Sequence, residues 1–195
     1  MLDASCFASS GDLFEAAQEL IAAGCNLVQY RNKRGSPRQI LGDSRQLKRL
    51  LGGAARVIVN DRPDAALLAG CDGVHVGQDD LSAGEARRVA GEELWVGIST
   101  HNPEQVQRAA QAAVDYVAIG PVFATASKAN PDPVIGLEGI RKARALTGKP
   151  LVAIGGITRA NCRAVIDAGA DSVAVISDLI HNPQKTAEEF LRILR

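Results

Sequence analysis

Two short apolar runs in the stretch VIVNDRPDAALLAGCDGVHVGQDDL, residues 57 to 81, stop abruptly at carboxylates. Val57 to Val59 ends at Asn60 and Asp61, and Gly73 to Gly77 ends at Gln78, Asp79 and Asp80. Acids that follow consecutive parallel strands, whose axes lie about 4.8 Å apart, can converge on one cation. Two carboxylates suit magnesium, which keeps several waters and completes its octahedron with phosphate oxygens, so Asp61 and Asp80 as metal ligands imply a phosphorylated partner. Each acid also suits a cap on the following helix, Asp61 in particular before Arg62-Pro63, and the pattern alone leaves both readings open.

Other apolar runs end in polar residues too. VQYRNK supplies Gln29, Arg31 and Lys33; VGISTH supplies Ser99, Thr100 and His101; Lys128 lies in GPVFATASK. Three cations at one end of a sheet repel one another unless an anion or solvent compensates them, and a diphosphate bound with magnesium would do so. AIGGIT and AVISD mark a second phosphate position, where Gly155 and Gly156 either let a ligand approach the backbone or merely permit a turn, and Ser177 offers a hydroxyl. His75, inside GVHVG, reads as a core or supporting group, His101 as a residue leading into a helix beside Pro103, and His181 as part of the tail. No arrangement of His, Cys and Ser makes a nucleophilic triad.

A recurring phrase shows what must position these residues: AAGCNLVQYR at 22 to 31, LAGCDGVHVG at 68 to 77, AAVDYVAIG at 112 to 120 and DAGADSVAVIS at 167 to 177. Each runs from a helical stretch through a small-residue cap into a Val-rich strand, the αβ half of a βαβ repeat. Adding Arg56 to Asp61, Leu94 to Ser99 and Pro150 to Gly155 gives seven strands. Periodicity and capping predict eight helices: Asp12 to Ala23, Ser36 to Leu51, Pro63 to Ala69, Ser82 to Ala90, Pro103 to Ala113, Leu137 to Thr147, Arg159 to Ala168 and Pro183 to Leu194. Strands apolar on both faces and alternating with helices predict an α/β fold of the TIM (β/α)8 barrel type, one domain over residues 1–195, whose ligand site lies at the C-terminal ends of the strands. The first strand is absent or nearly so, with Leu2 and Asp3 as its candidate last residues; the natural chain is therefore expected to start upstream, unless this is a true seven-stranded variant.

The bulk properties agree. An apolar share of 46% in 195 residues supports one sizeable core, and 22 basic against 22 acidic residues without blocks of one sign give no nucleic-acid or membrane surface. No segment approaches the ~20 apolar residues of a membrane span, and the N-terminus lacks a leader pattern, so the expected location is cytoplasmic. Cys6, Cys25, Cys71 and Cys162 have no CxxC spacing and read as packing residues.

VQYRNK, VNDRPDAALLAGCDGVHVGQDDL, VGISTHNPEQ, DYVAIGPVFATASK and VAIGGI with ADSVAVIS together resemble the thiamine-phosphate synthase family, in order and over almost the whole chain. Such enzymes join an aminomethylpyrimidine diphosphate to a thiazole phosphate, with or without an extra carboxylate, releasing pyrophosphate. The resemblance implies that Gln29, Arg31, Lys33, Asn60, Ser99 and Lys128 contact the pyrimidine diphosphate, with Arg31, Lys33 and Lys128 in catalytic roles. It implies that Asp61 and Asp80 bind Mg2+, and that Thr125, Ala126, Ser127, Gly156, Ile176 and Ser177 form the thiazole phosphate pocket. Its partners would be these small molecules and, in some assemblies, a second copy of the chain. Ser127 stands where the family commonly has Thr, which keeps a hydroxyl and loses a methyl. A thiazole tautomerase relative is disfavoured because Pro121 occupies a position where that branch tends to have His. A noncatalytic binding protein of the pathway would have no need of Asp61, Asp80 and Lys128 together.

Overall fold

The computed structural model describes residues 1–125 and 132–195. Eight parallel strands form one sheet in sequential order: β1 Leu2–Asp3, β2 Leu27–Arg31, β3 Arg56–Asn60, β4 Gly73–Val76, β5 Trp95–Thr100, β6 Tyr116–Ile119, β7 Leu151–Ile154 and β8 Ser172–Ala174. The helices between and after them are α1 Ser10–Ala22, α2 Pro37–Leu51, α3 Pro63–Ala69, α4 Ala83–Ala90, α5 Pro103–Gln111, α6 Gly136–Leu146, α7 Cys162–Asp167 and α8 Pro183–Leu194. This is the expected (β/α)8 plan, with the first strand reduced to the two-residue remnant Leu2–Asp3 paired with Tyr30 and Arg31. Among the described residues no ladder joins β8 to β1; the Met1 nitrogen donates to the Val175 carbonyl at 2.8 Å across that seam.

Helix starts follow the caps. Ser9 and Ser82 form capping boxes with Asp12 and Glu85, and Ser36 and Asn102 accept from Gln39 N and Gln105 N. The small-residue cap of the repeat places Gly24, Gly70 and Gly169 at positive φ, the conformation that ends a helix without a Cβ penalty. α7 begins three residues later than predicted, because Asn161 accepts from Thr158 N and donates to Gly156 O, which fixes a turn in place of a first helical turn.

Strand register separates two faces, since directly paired residues in a parallel sheet point the same way. Val57, Val59, Val74, Val76, Val96 and Val117 are buried in the layer between sheet and helices. The alternate set faces the barrel interior: Gln29 pairs with Ile58, Asn60 with His75, Gly97 with Tyr116, and Ser99 with Ala118. Two glycines of this set make room for larger neighbours. A Cβ on Gly97 would lie 2.0 Å from the Tyr116 ring, and one on Gly73 would lie 2.9 Å from Ile58 Cδ1.

The repeated phrase also carries a fastening that its periodicity does not reveal. Asp72, Asp115 and Asp171 stand immediately before β4, β6 and β8 and accept the backbone N–H of Val57, Val96 and Leu151 on the preceding strands, at 2.7, 2.6 and 2.8 Å. Each also pairs with a base on the second helix back along the chain: Lys48 of α2, Arg87 of α4 and Arg144 of α6. Asn26 takes the corresponding place in the first copy. Asp72→Ala would orphan a buried N–H and an ammonium together, so a loss of about 1–3 kcal/mol in unfolding free energy is expected. Urea titration would measure it, and an unchanged midpoint would contradict the fastening role.

Cys71 and Cys162 are buried as expected, Cys6 and Cys25 only partly, and all four are free. Burial pushes the Cys71 thiol up to about 12, so it is inert packing. No helix among the described residues is long and apolar enough to cross a membrane.

Candidate active site

A cavity opens at the C-terminal ends of the strands, and its lining includes Gln29, Arg31, Lys33, Asn60, Asp61, Asp80, Ser99, Thr125, Gly156, Ile176 and Ser177. Residues singled out on seven different strand ends are therefore brought to one mouth. Ala126, Ser127 and Lys128 lie outside the described residues.

Neither aspartate acts as a helix cap. Arg62 holds the N-cap position of α3 without a side-chain bond and pairs with Asp64, while Ser82 and Glu85 cap α4. Asp61 instead takes φ +64°, in the left-handed region that Asp tolerates better than most residues, with its N–H given to His75 O at 2.7 Å. That backbone turns its carboxylate to the Lys33 ammonium, which also lies 3.9 Å from Asp80 Oδ2. Asp80 folds back over Gly77, accepting its N–H at 2.9 Å, and a Cβ at Gly77 would come within 2.8 Å of Asp80 Oδ2. Burial, followed by the neighbouring Asp80, raises the Asp61 carboxyl to about 6 against the opposing pull of Lys33. Two carboxylates thus converge on one cation position, which Lys33 shares.

The cations differ from expectation in one respect. Arg31 pairs with Asp3, a buried carboxylate that also accepts from Ser5 N and Ser5 Oγ at 3.0 and 2.6 Å. Lys33 is likewise matched by acids. The expectation of cations lacking any compensation except a ligand or solvent is therefore corrected for Arg31 and Lys33, whose charges the fold itself balances. Asp3 escaped notice because a two-residue strand has no period, and only the register pair Asp3 with Arg31 reveals it.

At the ends of β7 and β8, where the sequence suggests a second phosphate position, Gly155 and Gly156 adopt φ +99° and +62°. Their missing side chains admit protein first: a Cβ on Gly155 would meet Pro121 Cα at 2.6 Å, and one on Gly156 would meet Ala124 O at 2.4 Å. Val122 N and Phe123 N donate to Ile154 O and Gly155 O, so the two glycines seat the loop that follows β6. Ser177 opens a short 3₁₀ turn, Ser177–Leu179, beside them.

Deeper in the barrel, His75 bridges Tyr116 Oη and Ser99 Oγ at 2.9 and 2.8 Å. Burial lowers its pKa to about 4, so it is neutral and supports other groups, in keeping with its reading from sequence. His101 leads into α5 as expected and bonds Gly120 O at 2.6 Å. Tyr116 was not anticipated; the available signal was an aromatic residue paired in register with a glycine, Gly97.

A (β/α)8 barrel that gathers paired acids, bases and a glycine-seated loop at its strand ends has the architecture on which barrel enzymes build their sites. The family profile described as thiamine monophosphate synthase matches residues 3–179. A thiamine-phosphate synthase of Koribacter versatilis is 60% identical over 197 aligned residues, covering 100% of this chain and 93% of that protein. One from Agrobacterium fabrum is 43% identical, covering 91% of this chain and 83% of its own. The solved structure of a thiamine phosphate pyrophosphorylase from Pyrococcus furiosus matches with a TM-score of 0.85 and 33% identity, over 93% of this chain and 88% of that one. The chain belongs to the thiamine monophosphate synthase family.

Proposed function

We propose that this chain is a thiamine-phosphate synthase, joining 4-amino-2-methyl-5-(diphosphooxymethyl)pyrimidine to 4-methyl-5-(2-phosphooxyethyl)thiazole and releasing pyrophosphate. The observation that carries the reading is the convergence of Asp61 and Asp80 on one cation position at the cavity mouth, with the N-cap positions of α3 and α4 held by Arg62 and Ser82. These acids suit magnesium: they are hard oxygen donors, and Asp61 carries a raised pKa that a nearby cation would lower. Among the described residues no group of three or more His, Cys, Asp and Glu is placed to hold a metal, so water and phosphate oxygens would have to complete the coordination. Magnesium bound there supplies charge neutralisation at the departing diphosphate.

The remaining work falls to the chain. Heterolysis of the carbon–oxygen bond leaves a pyrimidinylmethyl cation and puts both bonding electrons on diphosphate, where Arg31, Lys33 and Lys128 stabilise them. The thiazole nitrogen brings its own lone pair, so no strong general base is needed. Thr125, Ala126, Ser127, Gly156, Ile176 and Ser177 hold the thiazole phosphate, and Gln29, Asn60 and Ser99 orient the pyrimidine, which aligns nitrogen with carbon. Gly156→Ala should displace the loop after β6 and raise the thiazole phosphate KM at least about tenfold, given the ~1–3 kcal/mol cost of a side chain in strained backbone; steady-state kinetics would show it.

Pyrophosphate release that requires both organic substrates tests the reaction class. Release from the pyrimidine diphosphate alone at the same rate would indicate a hydrolase instead.

A further inference from the structure

The segment that brings Gln29 and Arg31 to the cavity also turns side chains the other way, toward α2. Tyr30 is buried and gives its hydroxyl hydrogen to Asp43 Oδ2, midway along that helix, at 2.6 Å. Asn32 Nδ2 donates to the Tyr30 oxygen at 3.1 Å, and Asn32 Oδ1 accepts from Arg34 N and Gly35 N at 3.2 and 2.8 Å. The residue enclosed by these bonds is Lys33, which lines the cavity and whose ammonium meets Asp61 and Asp80.

Every bond in this relay has one direction. A carboxylate only accepts, so Tyr30 donates to Asp43 and keeps its lone pairs for Asn32. The two loop N–H groups only donate, so the Asn32 oxygen faces them, and its amide cannot flip without setting donors against donors. Gly35 leaves the space, since a Cβ there would lie 2.4 Å from Asn32 Nδ2. Stability alone does not call for this arrangement: an apolar pair of similar shape in place of Tyr30 and Asp43 would leave no buried group to satisfy, and such replacements are close to neutral. A simple turn needs only the Asn32 oxygen. The further bonds tie the turn that carries Lys33 to the interior of a helix.

We propose that Asn32, anchored through Tyr30 to Asp43, is a positioning residue that fixes Lys33 at the cavity mouth. Lysine carries its charge on a flexible four-carbon stem, so the place of that charge depends on how firmly the backbone beneath it is set. With the turn over 32–35 held, less freedom remains to be lost when the ammonium meets an anion. This inference rests on the synthase reading, in which Lys33 meets the departing diphosphate, and adds the residues that hold it in place.

A double-mutant cycle between Asn32 and Lys33 tests it, read on the full chain as calorimetric affinity for inorganic diphosphate with magnesium and as kcat/KM for the pyrimidine diphosphate. Asn32→Ala is expected to lower both about fivefold or more in the parent. With Lys33 already alanine, the same substitution should change them less than about twofold, because a residue that acts through another has nothing left to act on. Equal losses in both backgrounds would show a merely structural role and overturn the proposal. A second variant, Tyr30→Phe with Asp43→Leu, removes the anchor without leaving either partner of that bond unsatisfied; it should melt near the parent temperature yet lose about threefold or more in diphosphate affinity. Parent-like affinity in that variant would overturn the part given to Tyr30 and Asp43. The affinity cycle needs no turnover, so a non-additive cycle in a protein that forms no thiamine phosphate would keep the positioning role and discard the synthase reading. A parent that neither binds diphosphate nor turns over would overturn both.

Discussion

Replacing Asp61 and Asp80 together by alanine is expected to lower turnover by more than about 10³-fold and to remove its dependence on magnesium. Loss of a single electrostatic group of this kind costs about 10²–10³, and here two carboxylates and the ion between them go at once. The charge balance explains the second half of the expectation. Arg31 is cancelled by Asp3, and Lys33 faces both Asp61 and Asp80, so these described charges leave one net negative. An anionic diphosphate is repelled by that arrangement until a divalent cation reverses its sign. In the double variant Lys33 is released, and diphosphate affinity should become insensitive to EDTA even as turnover is lost. Kinetics and diphosphate binding with and without chelator would check both halves; turnover within tenfold of the parent and still chelator-sensitive would refute the assignment.

The second large effect is expected at Lys128. Since the fold already balances Arg31 and Lys33, Lys128 in its proposed role would act mainly as bond cleavage proceeds, when charge accumulates on the diphosphate oxygens. Lys128→Ala should therefore lower kcat by about 10²-fold or more, with the thiazole phosphate KM little changed. Single-turnover measurements would separate chemistry from release. A defect confined to thiazole phosphate affinity would contradict this role.

Much of the site was legible in the sequence because buried strands end where polarity begins. Asn60, Asp61 and Asp80 announce themselves as interruptions of Val-rich runs, and a parallel barrel places such interruptions at one mouth. What was not legible depends on contacts between elements. Asp3 and Arg31 meet only through register, Tyr116 crosses the space left by Gly97, and Asp72, Asp115 and Asp171 fasten strands to helices 24 to 28 residues back. Gly155 and Gly156 show the same limit. Their spacing marked a special backbone, but whether a ligand or another loop fills the vacant Cβ space depends on Pro121, Phe123 and Ala124, which only the folded chain brings there.

The central claim is tested most directly by incubating the purified chain with the pyrimidine diphosphate and the thiazole phosphate, then oxidising any thiamine phosphate to its fluorescent thiochrome. Fluorescence that grows with time, needs both substrates and vanishes with EDTA is the expected result. No thiamine phosphate from both substrates with magnesium present would contradict the synthase assignment, and equal product with and without EDTA would contradict the role given to Asp61 and Asp80.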